Sequence, residues 1–179
     1  MMNIHHWRQA TLGMGPWRRW LTGRGSLTRR LQARCDAFRV QRLSQIVDRP
    51  YLDELAPFGQ ARRRQALIRE VLLLCGDTPL VFAHTVIPLG ALRGRWQRLA
   101  DLGNHSLGAT LFADPTIRRY PLEYRRLDPR HPLFRSAAGH LSAPADRLWA
   151  RRSLFALGRG RIQVTEVFLP AVLELPESP

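Results

Sequence analysis

The sequence predicts a single α+β domain built on an antiparallel β-sheet with helices packed on it. Several segments of five to ten residues are apolar or alternate between apolar and polar residues, as strands do. Turn sequences at 76–79 and 158–160 join two pairs of these segments directly. Apolar residues at helical spacing occur mainly near the N-terminus of the chain. A length of 179 residues is sufficient for one domain with its own hydrophobic core.

The first half of the chain provides an arm, a helix and three strands. Residues 1–25 mix Gly, Trp and Arg and are expected to form a loosely ordered N-terminal arm, and 26–175 form the domain. Ser26 is a predicted N-cap for a helix over 27–34. Segment 38–43 alternates like a half-exposed strand. Segments 66–74 and 80–87 are apolar strands on either side of the first turn.

The second half begins with helical spacing over 92–102, which Gly103 closes. Segment 117–127 is a further strand, although Pro121 disfavours a central place in the sheet. Segment 128–146, with three Pro and two His, is expected to be a long mobile loop. Segments 148–157 and 161–169 then form a hairpin with a predicted three-residue loop at 158–160.

The composition restricts the chemistry. All 28 basic residues are Arg, and the net charge of +14 favours an anionic partner, either nucleic acid or a small polyanion. Without Lys, the chain has no Schiff-base lysine, no pyridoxal phosphate anchor and no P-loop lysine. Cys35 and Cys75 allow one bridge at most and fit no zinc pattern. No stretch has the length of a membrane span or an apolar signal core, so we expect a reducing cytoplasm.

Two charged residues interrupt predicted apolar strands: Arg69 in segment 66–74 and Glu166 in segment 162–169. A buried ion is costly unless it is paired, hydrogen-bonded or in contact with a charged ligand. Strand parity places Glu166 on an apolar face but does not decide whether Arg69 or Glu70 points inward. Two interpretations stay open: a structural ion pair between Arg69 and Glu166, or a pocket for an acid.

The order of several segments resembles the chorismate lyase family. Leu-Ile-Arg-Glu-Val-Leu-Leu-Leu-Cys at 67–75 is similar to the strand that carries the family's ligand-binding Arg. Thr-Val-Ile-Pro at 85–88 and Ser-Leu-Gly-Ala-Thr-Leu-Phe at 106–112 resemble its next two segments. Trp-Ala-Arg-Arg-Ser at 149–153 and Thr-Glu-Val-Phe-Leu-Pro-Ala at 165–171 resemble its closing hairpin, and 26–31 matches its early helix. The similarity covers 26–171.

The resemblance implies a chorismate lyase-like fold and the conversion of chorismate to 4-hydroxybenzoate and pyruvate for ubiquinone biosynthesis, with no cofactor and no metal. It nominates Arg69 as the inward residue that binds the ring carboxylate, together with the backbone N–H groups of Leu27 and Leu111. Glu166 is expected to bind the ring hydroxyl, and its role as a base or as an orienting group stays open. We expect a cytoplasmic monomer that binds no nucleic acid and does not insert stably into a membrane.

Several other residues have predicted positions, and two other functional classes compete with this interpretation. His84 replaces an Arg common in relatives and is expected to be a partly exposed strand residue. His131 and His140 are expected on a loop surface, and the Arg run at 62–64 in solvent. Which of the adjacent Arg151 and Arg152 points inward stays open. The competing classes are a ligand-sensing effector domain without turnover and an Arg-rich nucleic-acid binder.

Overall fold

A computed structural model describes residues 7–10, 12–58, 65–93 and 95–176. Within these ranges all seven strands belong to one antiparallel sheet, in the order β1-β2-β3-β7-β6-β4, with β5 also paired to β6. The strands are β1 (Phe38–Asp48), β2 (Ala66–Cys75), β3 (Thr78–Pro88), β4 (Arg118–Arg119), β5 (Glu123–Leu127), β6 (Leu148–Leu157) and β7 (Gly160–Phe168). The predicted α+β class is therefore confirmed.

Five short α-helices accompany the sheet: α1 (Arg18–Leu21), α2 (Leu27–Gln32), α3 (Leu89–Leu92), α4 (Leu107–Ala113) and α5 (Pro132–Ala138). Short 3-10 helices occupy Gly15–Trp17, Leu52–Glu54, Ala56–Phe58, Gln97–Asp101 and Pro170–Glu174. Ser26 caps α2 as predicted, because its side chain accepts a hydrogen bond from the backbone N–H of Arg29. None of the described helices has both the length and the apolar character needed to cross a membrane.

Three predicted elements are divided or shortened in the structure. The helix expected over 92–102 is divided between α3 and a 3-10 helix. The strand expected over 117–127 is interrupted around Pro121, which leaves β4 and β5 as separate edge strands beside β6. The hairpin loop between β6 and β7 has two residues rather than three, since Leu157 pairs with Gly160. Gly158 in that loop has φ +59°, a conformation that favours glycine.

The expectation of a mobile loop over 128–146 is wrong. This segment contains α5, whose start is fixed by Pro132 and by His131, the side chain of which accepts from the N–H of Leu133. Leu133 and Phe134 are buried against the reverse face of the sheet. The apolar contacts of this short helix therefore outweigh the turn-forming composition of the surrounding sequence.

The sheet has hydrophobic clusters on both faces. On the first face, α1 and α2 pack on β2, β3 and β7 at one end, and α4 packs near the other end. The second, or reverse, face is covered by α5 and by part of the N-terminal segment. Trp20 and Leu21, from the predicted arm, are buried in the first-face core, while the boundary between 25 and 26 stays a prediction. Cys35 and Cys75 form a disulfide that ties the end of the α2 segment to β2.

Candidate active site

Strand register gathers the polar residues of the first face into two neighbouring rows. One row contains Arg69, Thr85, Val164 and Ser153, on β2, β3, β7 and β6. The next row on the same face contains Val71, Ala83, Glu166 and Arg151. Arg69 and Glu166 are thus diagonal neighbours, two strands and two residues apart. At about 4.8 Å between strands and about 3.4 Å per residue, their Cα atoms are roughly 12 Å apart.

A cavity lies over these two rows, between the hydrophobic clusters of the first face. It encloses about 600 Å³ free of atoms, including solvent at its mouth. Its floor is the sheet, and α2 and α4 contribute the opposite wall. Arg69, Glu166, Leu27 and Leu111, which the sequence singled out, all line it. The structure thus brings all four residues to one site.

Arg69 is a buried cation with unused hydrogen-bonding capacity. Its side chain is 2% exposed, and its Nη2 donates to the backbone oxygens of Gly103 and His105, each at 3.0 Å. Its Nε is buried without a hydrogen-bond partner, and no carboxylate of the described residues pairs with it. Burial, assisted by the nearby positive charge of Arg42, lowers its pKa. An anionic ligand would offset this desolvated charge.

Glu166 pairs with Arg151 rather than with Arg69. The Nε of Arg151 donates to Oε2 of Glu166 at 2.5 Å, while its Nη1 donates to the carbonyl oxygens of Trp20, Leu21 and Gly23 at 2.9 to 3.2 Å. The hypothesis of a structural pair between Arg69 and Glu166 is therefore wrong. The structure also answers which residue of two adjacent pairs points inward. Arg69 and Arg151 face the cavity, whereas Glu70 and Arg152 lie on the reverse face.

The starts of α2 and α4 meet over the cavity. Their N-cap hydroxyls, from Ser26 and Ser106, each accept from the N–H group three residues later. The Oγ1 of Thr28 lies 2.7 Å from the Oγ of Ser106, which links the two helix starts. Gly108 suits this close contact, since a Cβ there would lie 3.0 Å from Oγ1 of Thr28, a tight approach that the threonine side chain would have to relieve by a small shift.

The backbone geometry differs between the two predicted N–H donors, Leu27 and Leu111, whose roles stay predictions. Leu27 is the first residue of α2, so its N–H has no partner within the helix. Leu111 is the fifth residue of α4, where the N–H group normally donates to the carbonyl four residues earlier. Leu111 therefore contributes its side chain to the cavity wall. Leu107, the first residue of α4 and also a cavity residue, has the equivalent N–H group.

Arg119 is a cavity residue that the sequence reasoning missed. Its Nε donates to Oγ of Ser153 at 2.9 Å, and its Nη1 donates to the backbone oxygen of Arg24. The guanidinium lies over the rings of Phe112 and Phe155, 5.3 and 5.4 Å from their centroids. Burial lowers its pKa. The alternation of side chains along a strand at 117–127 was the only sequence signal for the orientation of Arg119. It could not show which residues face inward before the pairing with β6 was known.

The reverse face carries a separate polar cluster. His84 is buried there, with Nε2 3.2 Å from Oε1 of Glu54 and Nδ1 3.1 Å from Oε1 of Glu70. Although burial alone lowers the pKa of His84, the two carboxylates outweigh it and raise the pKa to about 9. The expectation of a partly exposed His84 is wrong. His131 is also buried, with Nε2 3.0 Å from Oδ2 of Asp53, contrary to its predicted loop-surface position.

The predictions for His140 and for the Arg run at 62–64 have different outcomes. His140 lies beside the reverse-face core, where its ring stacks on Phe82 at a centroid distance of 6.2 Å. The Arg run at 62–64 lies outside the described residues. Among the residues that the structure describes, no group of His, Cys, Asp and Glu has an arrangement that could hold a metal ion.

Comparison with known structures finds the same fold in other proteins. The effector domain of PhnF from Mycobacterium smegmatis aligns with a TM-score of 0.55, over 82% of this chain and 89% of that domain, at 14% identity. The ligand-binding domain of a putative GntR-family transcriptional regulator from Bordetella bronchiseptica aligns with a TM-score of 0.53, over 74% and 84%, at 14% identity. Because both identities are so low, these likenesses show the fold alone.

Sequence comparison then identifies the family. The family model described as chorismate lyase matches residues 2–175. A probable chorismate pyruvate-lyase from Nitrosomonas europaea is 52% identical over 157 residues, covering 87% of this chain and 88% of the relative. One from Methylobacillus flagellatus is 46% identical over 170 residues, covering 95% and 96%. This chain belongs to the chorismate lyase family, and the predicted resemblance is confirmed.

Proposed function

We propose that the protein is a chorismate pyruvate-lyase that converts chorismate to 4-hydroxybenzoate and pyruvate. One observation carries the proposal: buried Arg69 has no carboxylate partner among the described residues and lies diagonally across an enclosed cavity from Glu166. A 1,4-substituted ring that bears a carboxylate and a hydroxyl group matches this arrangement of a cation and an acceptor. Family membership supports the same reaction.

In the bound complex, the ring carboxylate contacts Arg69 and the N–H groups at the starts of α2 and α4. The guanidinium offers its Nε–H, which has no other partner among the described residues, to a carboxylate oxygen. Leu27 and Leu107 provide the nearby backbone donors, and Leu111 packs against the ring. Glu166 accepts a hydrogen bond from the ring hydroxyl at the opposite end of the substrate.

The chemical step removes the hydrogen from the hydroxyl-bearing carbon and breaks the adjacent ether bond. In a cyclic step, this hydrogen moves to the enolpyruvyl methylene, the former C–H electrons complete the aromatic ring, and the C–O electrons form the carbonyl of pyruvate. The atoms balance without an added reagent, and aromatisation provides the driving force, so no cofactor is required. The protein then contributes enclosure and positioning, which are sufficient to lower such barriers considerably.

Glu166 acts in this mechanism by orienting the ring. Its Oε2 is held by Arg151, which is itself fixed by three backbone carbonyl groups. This pairing fixes the position of the carboxylate, as an orienting role requires. Loss of a general base typically costs about 10² to 10⁴ in rate, whereas loss of one orienting hydrogen bond costs about tenfold.

The wider context of the reaction is part of the same proposal. The product would supply ubiquinone biosynthesis, and the protein would act as a monomer in the cytoplasm. The disulfide between Cys35 and Cys75 is at odds with a reducing cytoplasm. Nucleic acid is not required as a partner, since the excess of Arg inside the cavity already accounts for part of the positive charge. A small dianionic substrate also satisfies the preference for an anionic partner that the net charge of +14 creates.

The direct test is to incubate purified protein with chorismate and to measure 4-hydroxybenzoate and pyruvate. We expect equal amounts of both products. For Glu166→Gln, the orienting role predicts a loss of about tenfold in kcat, and Glu174→Gln, an exposed control, should behave like the wild type. Turnover near the wild-type rate in Glu166→Ala would exclude both roles. Binding of 4-hydroxybenzoate without any turnover would indicate a sensor, and salt-dependent DNA binding alone a nucleic-acid protein.

A further inference from the structure

The charges that line the cavity do not balance without a ligand. Three guanidinium groups, from Arg69, Arg119 and Arg151, face it, but Glu166 is the only acidic residue in its described lining. Arg151 and Glu166 neutralise each other. Arg69 and Arg119 have no carboxylate partner among the residues that the structure describes. The cavity therefore holds two uncompensated positive charges in a partly desolvated space.

The substrate class of the proposed function carries two matching negative charges. Chorismate has one carboxylate on the ring and a second on the enolpyruvyl group, whereas 4-hydroxybenzoate keeps only the ring carboxylate. With the ring carboxylate at Arg69, one anionic group of the substrate still lacks a cation. A desolvated carboxylate without a partner costs several kcal/mol by order of magnitude, so the second cation is needed for binding.

The position of Arg119 fits the enolpyruvyl group. The ether oxygen is attached to the ring carbon next to the hydroxyl-bearing carbon, so the leaving group must lie beside the Glu166 end of the ring. Arg119 is anchored to Ser153, which is one same-face step along β6 from Arg151, the partner of Glu166. It therefore lies on β6's side of the cavity, off the diagonal between Arg69 and Glu166.

The guanidinium is also preorganised for this contact. Ser153 fixes its Nε, and Ser153 in turn donates to the backbone oxygen of Tyr120 at 3.1 Å. Nη1 is held by the carbonyl oxygen of Arg24, and the rings of Phe112 and Phe155 fix the guanidinium plane. Its Nη2 is engaged by no described residue and is the donor left for a ligand. A cation fixed in this way costs little reorganisation when it binds an anion.

Resting on the proposed function, we propose that Arg119 binds the enolpyruvyl carboxylate and so distinguishes the substrate from the product. It also faces the ether oxygen on which negative charge develops as the C–O bond breaks. When pyruvate leaves, Arg119 loses its ligand, while Arg69 and Glu166 still hold 4-hydroxybenzoate. Arg119 therefore determines affinity for chorismate and contributes little to affinity for the aromatic product.

The experiment compares Arg119→Gln and Arg119→Lys with Arg118→Gln, whose exposed neighbouring side chain provides a matched control. Two quantities are measured for each variant: kcat/KM with chorismate and the Kd of 4-hydroxybenzoate by calorimetry. We expect Arg119→Gln to lower kcat/KM by about 10- to 100-fold, as for a lost charge-assisted hydrogen bond. The Kd of 4-hydroxybenzoate should change by less than about threefold, and Arg119→Lys should recover part of kcat/KM.

Each outcome decides a different claim. A wild-type protein that does not convert chorismate would exclude the proposed function itself. An active wild type with unchanged kcat/KM in Arg119→Gln would overturn only the inference about Arg119. Equal losses in kcat/KM and in product binding would also overturn it, since they would mean a general structural or electrostatic effect. If Arg119→Gln does not fold, Arg119→Lys carries the same comparison, because it preserves charge and loses the planar fork.

Discussion

The buried His84 should make the stability of the protein decline at alkaline pH. Its imidazole lies between the carboxylates of Glu54 and Glu70, both within 3.2 Å of a ring nitrogen, and these raise its pKa from 6.5 to about 9. A group whose pKa is raised on folding stabilises the folded state fully below its unfolded pKa. This contribution is lost as the pH rises from about 6.5 through about 9.

The magnitude follows from the shift in the pKa of His84. Each pH unit is equivalent to about 1.4 kcal/mol, so a rise from 6.5 to about 9 corresponds to about 3 kcal/mol of unfolding free energy. Glu70 sets the acid limit, because its pKa is lowered, chiefly by hydrogen bonding to His84, and its contribution disappears only as the pH falls through that range. Stability from this cluster should therefore be greatest between about pH 4.5 and 6.5.

Urea unfolding followed by Trp fluorescence at pH 6.5, 8 and 9.5 measures this effect. The wild type should lose about 3 kcal/mol between the first and last values, while His84→Gln should show little change over the same range. At pH 9.5 the two proteins should have similar stabilities. An alkaline decline of the same size in both proteins would refute the reasoning, because the decline would then come from other groups.

Three other perturbations test what stabilises the fold. Arg151→Gln breaks the buried pair with Glu166 and the hydrogen bonds to the α1 segment. It should lower the free energy of unfolding, measured with urea, by about 3 to 5 kcal/mol. Arg126→Gln, an exposed control, should lower it by less than about 0.5 kcal/mol. Gly160→Ala would place a Cβ 2.6 Å from the buried Trp96 ring and should destabilise by about 1 to 3 kcal/mol, more than Gly139→Ala, where the nearest atom is 3.7 Å away. Cleaving the Cys35–Cys75 bridge, which spans 40 residues, should cost about 2 to 4 kcal/mol, and a reductant should have no effect on the unfolding of Cys75→Ser.

Local sequence patterns predicted the helices and strands whose apolar residues recur at regular spacing. Strand β2 and the helix capped by Ser26 were foreseen because apolar alternation and an N-cap are properties of adjacent residues. The segment 128–146 was misjudged because the packing of α5 depends on distant strands. The predicted 92–102 helix was divided for a similar reason, since Trp96 packs next to Gly160 on β7, far along the chain.

The site was predictable only where a charge interrupted an apolar strand. Arg69 and Glu166 stood out in this way, and the family resemblance decided which of Arg69 and Glu70 faced inward. Arg119 lies in a polar edge segment where a charge is ordinary, so strand parity alone did not distinguish it. The pairing of Glu166 with Arg151 needed the register between β6 and β7, which a sequence alone does not provide.

The two faces of the sheet show why buried charge alone does not identify a functional residue. On the reverse face, His84 lies between two carboxylates, and Arg152 donates to Glu123 at 2.7 Å, so these charges are compensated within the protein. On the cavity face, Arg69 and Arg119 bond to backbone carbonyl oxygens or a hydroxyl group, which orient a guanidinium without neutralising it. A cation that the fold orients but does not neutralise is most stable with an anion bound. Compensation, rather than burial, therefore separates the residues that hold this fold together from those that we propose bind the substrate.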